Sequence, residues 1–411
     1  MTTLKRSGLA PSRFPKIPQV FGLEFKALRA GIKYTGRDDL LLARLDKGAT
    51  VAGVFTQSTT ASAPVQWSRE VVSKGKARAL LVNSGNANTF TGAQGHIDVK
   101  STAAMAGKAV SCRASEVLIA STGVIGEPLP VDRIDRALKR ISDKTRPASW
   151  LRAAQAIGTT DTYPKGAFRH TKIGETDITI GGIAKGSGMI APDMATMLAF
   201  VFTDACISRT VLDDLLREGV QASFNSITVD SDTSTSDSLI LAATGRAGNR
   251  VPKTKNAPDL KLFRGALKDL LIDLATQVVR DGEGAQKFIT VDVCGASSTA
   301  SAKKAALAIA NSPLVKTAIA GEDANWGRVV MAVGKSGAPL NQEMLSVAMG
   351  GVTIAQAGGR VEGYDEKLVT EHLKGQEVGI EVNLGVGRSK ARVWTCDFTH
   401  DYITINAEYR T

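Results

Sequence analysis

A glycine-rich segment in the middle of the chain combines a turn, a small residue and a hydroxyl group. Residues 181–200 have the sequence GGIAKGSGMIAPDMATMLAF, in which four glycines precede the Pro192-Asp193 pair. Glycine permits positive φ angles and close approach of the backbone, and Pro-Asp favours a turn. Ala195 leaves room around the peptide bond that joins it to Thr196. These residue types suit an exposed peptide bond beside a threonine hydroxyl.

A peptide bond in this setting can be cut by its own neighbour. The Thr196 hydroxyl can attack the Ala195 carbonyl to give an ester, which water then hydrolyses. Thr196 would begin a new chain with a free α-amine, whose ordinary pKa is roughly 7.7–8.0. That amine can act as base for the Thr196 hydroxyl near neutral pH. No histidine is needed, and the chain has only four, namely His96, His170, His372 and His400.

Taken alone, the segment also fits a purely structural turn that leads into a strand. A phosphate-binding loop is a further alternative, since it requires the pattern Gly-x-x-x-x-Gly-Lys-Ser/Thr. Before Gly334-Lys335-Ser336, the position of the required first glycine is occupied by Val329. Around Lys185 the order is Lys-Gly-Ser. Both positions therefore fail the phosphate-loop pattern.

The composition favours a soluble globular protein of a reducing compartment. The net charge is +11, but the basic residues are dispersed and aromatic residues make up only 5% of the chain, so we expect no nucleic-acid partner. No apolar run reaches the roughly 18 residues of a membrane helix, and residues 1–33 are basic without the apolar stretch of a signal peptide. We expect a cytoplasmic protein with neither a zinc site nor a disulfide framework, because no CxxC pair occurs among Cys112, Cys206, Cys294 and Cys396.

Apolar periodicity predicts alternating strands and helices. The fold class is α/β with mixed α+β character: a mixed-sheet sandwich flanked by helices, with a smaller α+β region at about 290–400. Alternation predicts half-buried antiparallel sheet at 378–384 and 402–406. The predicted strands are 51–56, 79–83, 177–183, 197–202 and 288–294, and the predicted helices are 101–116, 131–143, 208–222 and 259–280.

Ten short blocks, in order along the chain, resemble those of the ornithine acetyltransferase family, the glutamate N-acetyltransferases of arginine biosynthesis. The resemblance covers about residues 20–411. The blocks are AGIK at 30–33, AGVFT at 52–56, VNSGNAN at 82–88, STGVIG at 121–126, TTDTYPK at 159–165, the self-cleavage segment at 181–200, ITVDSDTSTSDS at 227–238, DGEGAQK at 281–287, LVKTA at 314–318 and NWGR at 325–328, and the chain ends in NAEYRT at 406–411.

The resemblance implies self-cleavage between Ala195 and Thr196 and a two-step acetyl transfer. Thr196 would take acetyl from N-acetyl-L-ornithine and pass it to L-glutamate. Fragments 1–195 and 196–411 would stay together, with two copies of each forming a heterotetramer. The fold implied is that of self-processing enzymes with an N-terminal nucleophile. No cofactor or metal is implied, but some family members also use acetyl-CoA as a donor, and nothing in this sequence decides that point.

The resemblance also assigns the remaining site residues. Thr122 and Gly123 match the oxyanion-hole pair of the family, and Lys185 matches a substrate-contacting lysine suited to a carboxylate. Glu283 matches an acidic contact suited to an ammonium group. Further substrate contacts fall on Thr160, with Thr159 as the second choice, and on Asn406 and Thr411.

Two other classes of function remain open at this point. A self-processing aminopeptidase or amidase of the same overall fold would hydrolyse its acyl-enzyme instead of transferring the acyl group. A basic, non-catalytic binding protein would not be cut at all. The first would release acetate at a rate independent of glutamate, and the second would remain one intact chain.

We expect the wild-type chain to separate into two fragments on a denaturing gel instead of one band of 43.3 kDa. Thr196→Ala removes the attacking hydroxyl, so it should restore the single band. Thr254→Ala, which lies outside the segment, is the control and should leave both fragments. Mass spectrometry of the wild type checks the cut, and a single wild-type band would contradict self-cleavage.

Overall fold

The structure is a computed structural model that describes residues 5–141, 145–191 and 197–408. Three predicted site residues, Ala195, Thr196 and Thr411, lie outside the described residues. The strands are β1 Leu23–Leu28, β2 Leu40–Leu45, β3 Thr50–Phe55, β4 Ala79–Asn86, β5 Val117–Val124, β6 Lys165–Ile173, β7 Thr176–Lys185, β8 Leu198–Thr203, β9 Ser238–Ala243, β10 Phe288–Ala296, β11 Ser346–Met349, β12 Val352–Gln356, β13 Gly359–Arg360, β14 Glu377–Asn383 and β15 Ser389–Cys396. The helices are α1 Ala63–Ser73, α2 Gly92–Ala109, α3 Val131–Lys139, α4 Trp150–Ile157, α5 Arg209–Gln221, α6 Lys261–Arg280, α7 Thr299–Ala310, α8 Pro313–Ala320, α9 Trp326–Lys335, α10 Glu366–Lys374 and α11 His400–Glu408.

Two mixed sheets pack face to face and form the central core. One has the strand order β1-β2-β4-β5, and the other has the order β3-β9-β8-β7-β6. Leu41, Val82 and Leu118 of the first sheet bury their side chains against Phe200 and Phe202 of the second. Apolar residues also point outward from both sheets, because helices cover those faces. Successive strand residues therefore face two different cores, as expected for sheets buried on both sides.

Helices cover the outer face of each sheet, which confirms the predicted sandwich. Helices α1, α2 and α3 pack on the four-stranded sheet, and α5 and α6 pack on the five-stranded sheet. Helix α6 begins at Lys261, two residues after its predicted start, because Pro258–Leu260 forms a 3-10 turn. Its predicted apolar stripe is entirely buried, at Leu260, Phe263, Leu267, Leu270, Leu271, Leu274 and Val278.

A third sheet lies toward the C-terminal end and has its own core. Its strand order is β13-β12-β11-β14-β10-β15, and helices α7, α8, α9 and α10 pack on it. Strand β14 includes most of the predicted 378–384 segment and alternates between buried and exposed residues. It pairs antiparallel with β11 but parallel with β10, so the predicted antiparallel pairing is only half correct.

The strand predicted at 402–406 is wrong, because this segment belongs to helix α11. Five residues of alternating pattern are too few to distinguish a strand from one helical turn. The helix is joined to the body of the protein at its first turn, where Tyr402 stacks on Phe398 with ring centroids 4.8 Å apart. Within the helix, the Asn406 amide donates to the Tyr402 carbonyl at 3.0 Å.

Two smaller expectations also need correction. Helix α2 begins at Gly92 and ends at Ala109, so it starts well before the predicted segment 101–116. Ser208 occupies the N-cap position of α5, but its side chain accepts no capping hydrogen bond.

None of the helices within the described residues is both long and apolar enough to span a bilayer.

Helix α6 offers a matched test of the outer core. Leu270 is 0% exposed, whereas Leu262 on the same helix is 64% exposed. Leu270→Ala removes buried methyl groups and leaves a cavity, which should lower the free energy of unfolding by about 2–5 kcal/mol. Leu262→Ala should change it by less than about 0.5 kcal/mol. Chemical denaturation of both variants checks this, and equal losses would contradict the packing.

Candidate active site

The end of strand β5 is held against strand β4 by a close backbone contact. Gly123 has a φ of +133°, and a Cβ built there would lie 2.3 Å from the carbonyl carbon of Gly85. Only glycine fits this position. The Asn83 side chain donates to the Asn86 carbonyl at 2.8 Å and holds the irregular end of β4, where the register with β5 shifts. The Thr122–Gly123 pair is therefore carried on rigid backbone.

Lys185 approaches Thr122 from the opposite sheet. It is the last residue of β7 and is only 4% exposed, and its Nζ donates to Thr122 Oγ1 at 3.2 Å. An ammonium group has no acceptor, so the hydroxyl oxygen must accept this bond and the Thr122 hydrogen is left to donate elsewhere. Burial lowers the pKa of Lys185, and the carboxylate of Asp161 opposes that effect.

Thr160 and Glu283 both contact Ser187, the first at the Ser187 hydroxyl and the second at the Ser187 backbone carbonyl. The hydroxyls of Thr160 and Ser187 lie 2.6 Å apart, and the Glu283 backbone N–H donates to the Ser187 carbonyl at 2.9 Å. Gly188 allows the carboxylate to approach, since a Cβ there would lie 2.4 Å from Glu283 Oε2. Ser187 was not predicted as a site residue, although it lies within the glycine-rich segment.

Helix α11 places Asn406 on the same carboxylate. Asn406 Nδ2 donates to Glu283 Oε2 at 2.9 Å. Burial raises the pKa of Glu283, and the hydrogen bond from Asn406 and the neighbouring Thr160 hydroxyl partly offset that rise. The structure thus brings together Thr160, Glu283 and Asn406, which are far apart in the sequence, even though Asn406 lies on a helix instead of the predicted strand.

A buried ion cluster connects the segments that carry Thr160, Lys185 and Glu283. Lys165 Nζ lies 2.5 Å from a carboxylate oxygen of Asp161 and 2.5 Å from one of Asp281. Asp161 also accepts the Gly186 N–H at 2.7 Å, directly after Lys185. None of the three charged residues was predicted. Their only signal was their place within the blocks at 159–165 and 281–287, because a sequence does not show which charges are buried.

Asp230 fixes the backbone of the glycine-rich segment just after its last glycine, Gly188. Its carboxylate accepts the N–H groups of Met189 at 2.6 Å and Ile190 at 2.8 Å. The Tyr402 hydroxyl lies 3.4 Å from the same carboxylate. The segment is therefore anchored on both sides of Ser187.

The arrangement offers a cation and a hydroxyl donor at one end and a carboxylate at the other. Lys185 and Thr122 suit a developing oxyanion or a substrate carboxylate, and Glu283 suits an ammonium group. In the part of the chain that the structure describes, no cluster of His, Cys, Asp and Glu side chains could hold a metal ion. The site is suited to small zwitterionic molecules such as amino acids.

The chain is similar to known proteins of arginine biosynthesis. Residues 24–411 match the model of the ArgJ family. The arginine biosynthesis bifunctional protein ArgJ of Bradyrhizobium diazoefficiens is 53% identical over 408 residues, which cover 98% of this chain and 99% of that protein. ArgJ of Gluconobacter oxydans is 55% identical over 397 residues, which cover 97% of this chain and 94% of that protein.

A crystal structure of ArgJ from Bacillus halodurans is 43% identical and covers 50% of this chain and 96% of the solved chain, with a TM-score of 0.48. The family match and the two full-length relatives do not depend on that partial superposition. They show that the chain belongs to the ArgJ family of arginine biosynthesis, the ornithine acetyltransferase family that the sequence blocks predicted.

Proposed function

We propose that the chain transfers acetyl from N-acetyl-L-ornithine to L-glutamate through an acetyl ester on Thr196. Membership of the family gives the reaction class. The observation that carries the assignment is the convergence of Lys185, Thr122 and Glu283 from three separate parts of the chain. An acyl-enzyme divides one difficult exchange between two amines into two easier steps.

The chain would first cut itself between Ala195 and Thr196, which divides it into fragments 1–195 and 196–411. Sheet pairing supports their continued association. Strand β7 of the first fragment pairs antiparallel with β8 of the second, and β3 of the first pairs antiparallel with β9 of the second. These hydrogen bonds and the shared core do not depend on the scissile bond. Two copies of each fragment would form the heterotetramer.

In each half-reaction, Thr196 Oγ would attack a carbonyl or release an acyl group through a tetrahedral oxyanion. Thr122 and Gly123 would supply the oxyanion hole, because the Thr122 hydroxyl hydrogen is free of the Lys185 contact and Gly123 presents a backbone N–H. A single donor of this kind contributes about 3–4 kcal/mol to the transition state. The buried Lys185 charge would strengthen the Thr122 donor.

The same groups would also orient the amino-acid substrate. Lys185 uses one of its three hydrogens on Thr122 and has others for a substrate carboxylate. Glu283, held by Asn406, would pair with the substrate ammonium, and Thr160 would line the space between them. Thr411 would complete the site from the end of the chain.

The reaction as proposed needs no cofactor and no metal, because the α-amine of Thr196 serves as the base. Acetyl-CoA is a candidate second donor to glutamate. We propose a cytoplasmic location and small-molecule substrates, without a nucleic-acid or membrane partner. A self-processing amidase remains the competing assignment, and the assay below separates the two.

With purified wild-type protein, N-acetylornithine and glutamate together should give N-acetylglutamate and ornithine in equal amounts. Without glutamate, ornithine release should stop after about one equivalent, because the acetyl ester waits for an acceptor. Continued release of acetate at an unchanged rate would identify an amidase instead. A parallel reaction with acetyl-CoA and glutamate decides whether acetyl-CoA is a donor. Mass spectrometry of the products and of the fragment that begins at Thr196 checks each step.

Glu283→Gln should raise KM for both amino-acid substrates about tenfold or more, since it removes a charge-assisted hydrogen bond. The wild-type KM should also rise as the pH falls, because protonation removes the carboxylate. Burial raises the pKa of Glu283, so this rise should begin at higher pH than for an exposed glutamate. The Gln variant should lack that dependence.

Steady-state kinetics across pH checks the role of Glu283. The control is Glu343→Gln, whose side chain is exposed on a loop, and it should keep the wild-type profile. A Glu283→Gln enzyme that retains the acid-side rise in KM would contradict the assignment of this rise to Glu283.

A further inference from the structure

Asp237 is a buried carboxyl group that the proposed mechanism does not yet use. It lies just before β9 and is 0% exposed. One of its oxygens, Oδ1, accepts the backbone N–H of Met197 at 2.8 Å. Met197 follows Thr196 in the sequence, so the nitrogen that Asp237 contacts belongs to the peptide bond on the carboxyl side of the proposed nucleophile.

The second oxygen of Asp237 is unsatisfied. Oδ2 has no hydrogen-bond partner among the described residues. A buried charged or polar atom without a hydrogen-bond partner destabilises the fold. Native proteins therefore supply a donor for nearly all such oxygen atoms. The charge that acts on Asp237 is that of Lys185, on strand β7 of the same sheet, and the nearby hydroxyl is that of Ser234. Burial holds the pKa of Asp237 well above its usual value.

Covalent geometry keeps one further nitrogen close to this contact. An α-amine is three bonds from the amide nitrogen of the next residue, so these two nitrogens are always within about 4 Å of each other. A free α-amine on Thr196 therefore arises within that distance of Met197 N, which is itself 2.8 Å from Asp237 Oδ1. The two oxygens of one carboxylate can hold two neighbouring donors.

A buried, unsatisfied carboxylate is not sufficient by itself for this role. Asp397 also has one unpaired buried oxygen, Oδ2. However, its Oδ1 accepts the N–H groups of Gln286 and Lys287, each at 2.9 Å, and neither belongs to the cut segment. What distinguishes Asp237 is its contact with the amide that follows the nucleophile.

We propose that Asp237 is the carboxylate partner of the α-amine that cleavage creates on Thr196, and that it positions this amine as the base for acetyl transfer. The inference rests on the proposed function. Hydrolysis of the Ala195–Thr196 bond consumes one water and leaves a carboxyl group on Ala195 and an amine on Thr196. During transfer, the neutral amine takes the proton of the Thr196 hydroxyl as Oγ bonds to the acetyl carbon, and it returns that proton to the departing amine. Asp237 forms no covalent bond and acts through the α-amine.

The test is the variant Asp237→Asn in the full-length, self-cleaved protein. Its side-chain oxygen can still accept the Met197 N–H, but its NH2 group faces the amine in place of a carboxylate. A nearby opposite charge raises the pKa of an amine, by about one unit or more, and its removal lowers that pKa. The acid limb of kcat/KM against pH should therefore move about one unit toward lower pH, and the plateau should fall about tenfold to a hundredfold because the base is misplaced.

Asp397→Asn is the matched control, because among the described residues it removes the charge of a second buried carboxylate with an unpaired oxygen. It should lower thermal stability but keep the acid limb of the wild type. An effect of Asp237 on stability alone would likewise leave that limb in place. If Asp237→Asn does not fold, Asp237→Ser removes the charge, keeps a hydroxyl acceptor and serves for the same comparison.

Three results would overturn the inference. These are an unchanged acid limb in the Asp237 variant, an equal shift in the Asp397 variant, or an Asp237→Asn chain that folds but stays uncut, which would place the carboxylate in scission instead of transfer. Failure of the proposed function looks different, since the wild type itself would then make no N-acetylglutamate. A shifted limb with complete cleavage supports the inference.

Discussion

A single buried lysine fixes the relative positions of the segments that carry the candidate site. Lys165 lies between the carboxylates of Asp161 and Asp281, and Asp161 also holds the N–H of Gly186. Taking these charges out of water is costly, so the cluster is stable only while all its members are in place, and loss of one leaves an uncompensated charge. Each connected segment carries one proposed substrate contact, namely Thr160, Lys185 or Glu283.

The sandwich explains how the cation and the hydroxyl donor come together at one end of the site. The four-stranded sheet contributes Thr122 and Gly123 from the end of β5, where glycine allows close approach to β4. The five-stranded sheet contributes Lys185 from the end of β7. The side chains meet because the two inner faces share one apolar core. A cation and a hydroxyl held in this low-dielectric setting interact more strongly than they would in water.

The sequence predicted the elements whose periodicity is long, and it missed features that depend on distant contacts. Helix α6 was predictable because its apolar stripe extends over five turns. The short segment 402–406 was not, because five alternating residues are too few to distinguish a strand from one helical turn. The sequence blocks predicted Lys185 and Glu283 as site residues, but the burial of Lys165 depends on the three-dimensional packing of segments more than a hundred residues apart.

Scission between Ala195 and Thr196, as proposed, would divide the site between two fragments. The first would supply Thr122 and Lys185, and the second would supply Glu283, so neither could bind and process an amino acid alone. Sheet pairing between β7 and β8 crosses this boundary, and so does the ion pair of Lys165 with Asp281. The contacts that assemble the site are thus the same contacts that keep the fragments together. A self-cleaved enzyme built in this way cannot lose the association of its fragments without also losing its substrate site.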